Sequence, residues 1–119
     1  MGFSYITHKN KQILFIDYKP CKGAPDMIKL INEVAVEYQS KPGPFLVLND
    51  FTGNIGTKEF MQHANTLAKI FNPKTKKSAM LGINSGIRQL LVQAYMRLAG
   101  RKILLCSSKE EALDYLVSL

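Results

Sequence analysis

Apolar residues recur along the chain at two periods, one typical of β-strands and one typical of α-helices. Short apolar or alternating runs predict five strands, at residues 4–8, 12–18, 45–48, 79–83 and 102–106. Apolar residues repeated every three or four positions predict four helices, at residues 25–39, 57–71, 87–98 and 109–117. Proline, glycine and asparagine stand at most of the breaks between these segments, as expected for turns and helix ends.

The order of the predicted elements indicates the fold class. A polar turn at residues 9–11 joins the first two strands and predicts an N-terminal β-hairpin. Strands and helices then alternate, which favours right-handed crossovers and a mostly parallel sheet flanked by four helices. With 119 residues and no linker or repeat, residues 1–119 are expected to form a single α/β domain.

The charge of the chain is concentrated in one segment. The net charge is +7, and residues 60–109 carry nine Lys and Arg and no acidic residue. Such a segment attracts anions, nucleic acid among them. Nucleic-acid binders usually add exposed aromatic platforms, whereas Phe60, Phe71 and Tyr95 fall at positions expected to face the core. Nucleic-acid binding is therefore the least favoured partner class.

Polar and glycine-rich loops follow the buried strands, where ligands gather in open α/β sheets. Three such loops, at residues 49–57, 84–86 and 107–108, each lead into a helix N-terminus, which favours an anion. The candidate binding residues are Asp50, Thr52, Gly53, Thr57, Asn84, Ser85 and Arg88. The same residue types also cap helices and close turns, so a purely structural role stays open for each of them. Neither a phosphate-binding loop nor a dinucleotide-binding motif is present in the sequence.

Catalytic and metal-binding patterns are absent from the sequence. His8 and His63 stand alone, and two cysteines, Cys21 and Cys106, are too few for a zinc site or a disulfide scaffold. Asp17 and Asp50 end two strands, where paired carboxylates would be placed, yet Asp50 equally suits a turn. We therefore expect no enzyme activity, no metal and no cofactor.

The order of short motifs resembles a known family. A hydrophobic strand leads into Asp50-Phe51-Thr52-Gly53, and Gly100-Arg101 with Ile103 precedes a last helix. This order resembles the SpoIIAA-like branch of the STAS superfamily, the anti-sigma-factor-antagonist fold, which is grouped with lipid-binding Sec14-type domains. The resemblance implies a non-enzymatic regulatory module that contacts a protein partner through the loops beyond the strand ends.

The resemblance also implies a phosphorylation site and an alternative function. The phosphorylatable serine of sporulation-type relatives falls near Thr57, where Gly56 replaces the preceding aspartate, so helix capping is the favoured explanation for Thr57. The Sec14-type relation implies instead a carrier of a small lipid-like or apolar ligand. Its cavity would be lined by the flexible methionines Met27, Met61, Met80 and Met96.

Three further expectations concern the setting of the protein. No apolar run approaches the roughly 18 residues of a membrane span, and residues 1–11 lack the apolar stretch of a signal peptide. The sequence therefore predicts a cytoplasmic protein without an integral membrane segment. A homodimer is plausible through the exposed edge of the hairpin or through an apolar helix face.

Overall fold

The computed structural model describes residues 2–54, 57–83 and 86–118, and it confirms the α/β fold. The strands are β1 (Phe3–His8), β2 (Lys11–Asp17), β3 (Phe45–Asp50), β4 (Thr75–Leu81) and β5 (Leu104–Cys106). The helices are α1 (Ala24–Ser40), α2 (Lys58–Thr66), α3 (Ala68–Phe71), α4 (Gly86–Ala99) and α5 (Lys109–Val117). Among the described residues, no helix is both long and apolar enough to cross a bilayer.

The five strands form one sheet in the order β1-β2-β3-β4-β5. The strands β1 and β2 pair antiparallel as the predicted hairpin, and every other neighbouring pair is parallel. Parallel neighbours joined in this order require each crossover helix to lie on the same face when the crossovers are right-handed. The carboxyl ends of β2, β3 and β4 consequently meet at one edge of the sheet, with Asp17 beside Asp50 and Asp50 beside Leu81.

Each face of the sheet has its own apolar core. On one face, side chains such as Leu14 and Val47 pack against α1, α2 and α3. On the opposite face, Ile13 and Leu48 pack against Ala112 of α5. The two cores follow directly from the alternation of side chains along a strand, because neighbouring residues of β2 and β3 point to opposite faces.

The predicted second helix is divided into two. The helix α2 ends at Thr66, and α3 begins at Ala68, with Leu67 between them at φ −95° and ψ −1°. The Leu67 amide donates to the carbonyl of Ala64, a tighter turn that ends α2. The apolar repeat continues across this break, since Phe60, Ala64 and Phe71 are all buried, so the periodicity alone does not reveal it.

The helix α4 lies where the sequence predicts it, but it presents a different face to the core. Its buried residues are Val92 and Ala99. Four large apolar side chains of α4 are exposed, namely Ile87, Leu90, Leu91 and Leu98. The helix carries two apolar stripes, and the structure buries the one that contains Val92 and Ala99. Tyr95, predicted to face the core, is half-buried against it.

Candidate functional site

Asp50 closes the turn that follows β3. Its Oδ1 accepts a hydrogen bond from the Thr52 amide at 2.9 Å, and its Oδ2 lies 3.4 Å from Nζ of Lys19. Burial raises the pKa of this carboxyl, but the hydrogen bonds from Thr52 and the Lys19 charge outweigh burial and hold the pKa below its ordinary value. Asp50 is therefore an ionised turn residue, and both of its carboxylate oxygens already have partners within the protein.

The turn at residues 51–54 is fixed from several sides. The Phe51 amide donates to the carbonyl of Leu81 at 2.9 Å, and Nδ2 of Asn54 donates to the carbonyls of Tyr18 and Cys21 at 2.8 Å each. The side chain of Thr52 and the whole of Gly53 are exposed at the tip of this turn. The predicted residues Thr52 and Gly53 thus form a rigid, solvent-facing corner of the molecule.

Gly82 explains how closely this turn approaches the end of β4. Gly82 has a φ of +92°, and a Cβ added there would lie 2.3 Å from the Thr52 amide nitrogen and 2.5 Å from the carbonyl carbon of Phe51. Only glycine combines this backbone conformation with so close an approach.

The remaining predicted site residues are divided by the structure. Thr57 is the N-cap of α2, and its Oγ1 accepts from the Phe60 amide at 3.1 Å. Arg88 reaches back from α4 to the carbonyl of Gly82 at 3.5 Å, which brings it to the edge of the Asp50 turn. Asn84 and Ser85 lie outside the described residues.

A small cavity lies beneath α4, against the face of the sheet that α1 and α2 cover. Its volume is about 50 Å³. Its walls are mostly apolar and come from β3, β4, α2 and α4, with residues that include Phe51, Phe60, Met61, Ala64, Met80, Ile83, Val92 and Ile103. Two of the four methionines proposed from the sequence, Met61 and Met80, therefore line this cavity. Met96 lines a separate open groove, and Met27 is fully buried in the core.

Polar groups meet at the inner wall of this cavity. Tyr18, Asn49 and Arg101 line it together with a second, smaller space of about 20 Å³ on their other side. Asn49 sits in the central strand and donates from Nδ2 to Oγ of Ser78 at 3.3 Å and to the carbonyl of Ala79 at 3.2 Å. Burial raises the pKa of Tyr18, and the nearby Arg101 charge opposes that rise.

These three residues were not among the predicted site residues. Tyr18 and Asn49 belong to apolar strand segments, and Arg101 follows a helix-ending glycine. The one available signal was an asparagine at the end of a run of apolar residues, and asparagine at such a position also suits a turn. Tertiary contacts bring the three together, since they come from three separate segments of the chain.

The other chemistry-bearing residues have structural partners. Nε2 of His8 lies 2.9 Å from Asp114, and Nε2 of His63 lies 2.7 Å from Asn32. Burial, with Asp26 and Asp17 adding to it, raises the pKa of Cys21, which disfavours the reactive thiolate. Within the described part of the chain, no group of three potential metal ligands comes together.

The basic residues of segment 60–109 are spread over both faces of the sheet. On the α5 face, Nζ of Lys77 donates to the carbonyl of Ser118 at 2.6 Å, and Lys109 lies over the ring of Phe15. On the opposite face, Arg101 lines the cavity. Several of these charges therefore serve local contacts on different sides of the molecule.

Comparisons with protein-family models, with curated proteins and with solved structures found no match to this chain. The resemblance to the SpoIIAA-like branch therefore stays a prediction that rests on the sequence motifs. The fold itself, an N-terminal hairpin followed by parallel strands and helices, is consistent with it.

Proposed function

We propose that this protein is a non-enzymatic binding module that holds a small, largely apolar ligand in the cavity beneath α4. The observation that carries the proposal is the cavity itself, whose aromatic and methionine walls enclose a few polar groups. Ligand sites in proteins are typically larger than this cavity, but they share its composition, apolar walls with a small number of polar groups that orient the ligand. Its position near the carboxyl ends of β3 and β4 suits an open α/β sheet.

The attachment of α4 supports ligand entry from that side. The cavity of about 50 Å³ accommodates only a few atoms, so a larger ligand requires one wall to move. Among the helices that line the cavity, α4 buries the smallest share of its residues. It buries Val92 and Ala99 and leaves Leu90 and Leu98 exposed. Elements with few buried apolar side chains open at the lowest free-energy cost. We expect α4 to shift outward when a ligand binds.

A cavity-filling substitution tests this proposal. Ala64 is buried in the cavity wall, and Ala64→Leu would fill the space with the added side chain. Hexanol, a neutral apolar probe, is titrated while methyl NMR signals of Met61, Met80 and Val92 are followed. We expect saturable shifts in the wild type and their loss in Ala64→Leu.

The matched control is the same change at an exposed position of α4, Ala94→Leu, which lies outside the cavity. This variant should bind hexanol as the wild type does. Thermal unfolding of all three proteins shows whether each variant is folded. Absence of saturable hexanol shifts in the folded wild type would contradict the proposed function, as would equal binding by Ala64→Leu.

A second candidate function is protein contact through the turn at residues 51–54. The observation that favours it is the rigidity of this exposed corner, which several backbone hydrogen bonds hold in one conformation. Preorganised surfaces lose little conformational entropy on binding. The resemblance to the anti-sigma-factor antagonists also supports this function, with regulation through Thr57 as a further prediction.

Affinity capture from extracts of the source organism tests the protein-contact function. Thr52→Arg places a bulky charge at the tip of the turn, and Thr7→Arg makes the same change on exposed β1, at the opposite end of the sheet. Partners retained by the wild type and by Thr7→Arg, but lost with Thr52→Arg, would support the turn as the contact surface. Partners that survive the Thr52 substitution would exclude it.

A cytoplasmic location and a homodimer remain part of the proposal. Cys21 and Cys106 are both free thiols, which suits a reducing compartment. Sedimentation at several protein concentrations would determine the oligomeric state.

A further inference from the structure

The guanidinium of Arg101 is a partly buried charge without an acidic partner. The ion pairs among the described residues involve Asp114, Asp50 and Glu37, and none of them includes Arg101. It lies instead 5.3 Å from the ring of Phe71, and one of its nitrogens donates a long hydrogen bond, 3.4 Å, to the uncharged Tyr95 hydroxyl. A buried cation is costly unless an anion or strong hydrogen-bond acceptors compensate it.

The hydroxyl of Tyr18 is a second polar group without a partner on the same wall. Tyr18 is 1% exposed, and no residue in the described part of the chain forms a hydrogen bond with its hydroxyl. Every fully enclosed side-chain polar atom of the described residues does have a partner. The Tyr18 hydroxyl therefore touches accessible space, and the cavities beside Tyr18 provide that space.

Asn49 adds a third polar group at the same place. Its amide nitrogen is used by the carbonyl of Ala79 and the hydroxyl of Ser78, which fixes the side chain across β3 and β4. All three residues line both cavities. The walls are otherwise apolar apart from the hydroxyls of Tyr95 in the first cavity and Tyr38 in the second, which already take part in hydrogen bonds. This arrangement provides one positive charge and one hydroxyl donor beside apolar walls.

We infer that the ligand of this cavity is an apolar monocarboxylate, whose carboxylate binds Arg101 and the Tyr18 hydroxyl while its apolar part lies among Phe60, Met61 and Val92. This inference rests on the proposed function and names the class of its ligand. A carboxylate matches the planar guanidinium with two parallel hydrogen bonds and neutralises its charge. Burial raises the pKa of Tyr18, so its hydroxyl stays protonated and donates to the ligand.

The dimensions of the site favour a short molecule. The two adjoining spaces have volumes of about 50 Å³ and 20 Å³. An engineered cavity that binds benzene in another protein has a volume of about 150 Å³, so even a short apolar acid requires the outward shift of α4. Hexanoate is a suitable probe, because hexanol has the same chain and lacks only the charged head group.

The test compares hexanoate and hexanol on the wild type and on Arg101→Gln. Binding is measured by methyl NMR shifts and by the Arg101 Nε–H signal. We expect the wild type to bind hexanoate at least about tenfold more tightly than Arg101→Gln does, the factor that corresponds to one charge-assisted interaction. We expect hexanol to bind both proteins equally, which also shows that the variant keeps its cavity.

Arg97→Gln is the matched control, because Arg97 is an exposed arginine of α4 that does not line the cavity. Equal loss of hexanoate binding in Arg97→Gln would overturn the inference, since the effect would then come from net charge. Equal affinity of the wild type for hexanol and hexanoate would also overturn it, while leaving the proposed function standing. Failure of both probes to bind the wild type would refute the proposed function itself.

Discussion

Replacing Gly82 with alanine tests whether close packing of two backbone segments holds the turn beside the cavity. Gly82 has a φ of +92°, which costs a residue with a Cβ about 1–2 kcal/mol. The added Cβ would lie 2.3 Å from the Thr52 nitrogen and 2.5 Å from the Phe51 carbonyl carbon. Both are backbone atoms, so no side-chain rotation relieves the overlap and the turn must move away from β4.

The expected loss of stability is the sum of the backbone strain, the repacking forced by the overlap and a weakened hydrogen bond. Forced repacking of this kind costs about 1–3 kcal/mol, and the hydrogen bond from the Phe51 amide to Leu81 contributes about 1 kcal/mol that movement of the turn would weaken. Together with the backbone strain, we expect Gly82→Ala to lower the free energy of unfolding by about 3–6 kcal/mol. That loss is a large part of the roughly 5–15 kcal/mol typical of a domain.

Gly53→Ala is the matched control, measured beside Gly82→Ala by urea denaturation followed by circular dichroism. Gly53 also has a positive φ, +76°, but a Cβ there would meet no atom of the described residues within 4 Å. Gly53→Ala should therefore lower the free energy of unfolding only by the cost of the positive φ, about 1–2 kcal/mol. If the two variants are destabilised to the same extent, within about 0.5 kcal/mol, close contact with the turn is not what requires glycine at position 82.

Three further predictions concern substitutions of Asp50, of Thr57 and of the pair Tyr38 and Tyr18. Asp50→Asn removes a carboxylate whose pKa is lower in the folded protein than its ordinary value of 3.8. Such a carboxylate stabilises the folded state fully above pH 3.8, and this contribution is lost as the pH falls through the lower folded value. The stability difference from the wild type should therefore be constant near neutral pH and shrink below about pH 4 in acid titrations, and a constant difference would contradict this. Thr57→Ala should lower the free energy of unfolding by about 1 kcal/mol through loss of the N-cap, and Thr57→Ser should restore it in urea denaturation. Tyr38→Phe should lower the free energy of unfolding by about 1 kcal/mol, because the Tyr38 hydroxyl forms a hydrogen bond with Thr75 at 2.8 Å. Tyr18→Phe should leave stability nearly unchanged, and a loss equal to that of Tyr38→Phe would reveal a partner for the Tyr18 hydroxyl.

The sequence by itself determined the five strands, all the helices except for the division of the second one, and the order of these elements. Alternation in residues 12–18 placed Ile13 and Leu14 on opposite faces, and the turn chemistry at residues 9–11 predicted the hairpin. One helix cap was also predicted correctly, since Thr57 is the N-cap of α2. These features depend on residues close together in the chain, so local periodicity and local hydrogen bonding are enough to predict them.

The tertiary structure decided which face of each element is buried and which distant residues come into contact. The helix α4 carries two apolar stripes, and only its packing on the sheet and α2 selects Val92 and Ala99 over Leu90 and Leu98. The cavity and its polar wall likewise depend on Tyr18, Asn49 and Arg101, which are distant in sequence and adjacent in space. The local sequence pattern cannot predict that these three residues lie close together, because the burial of a polar group depends on the elements that pack around it.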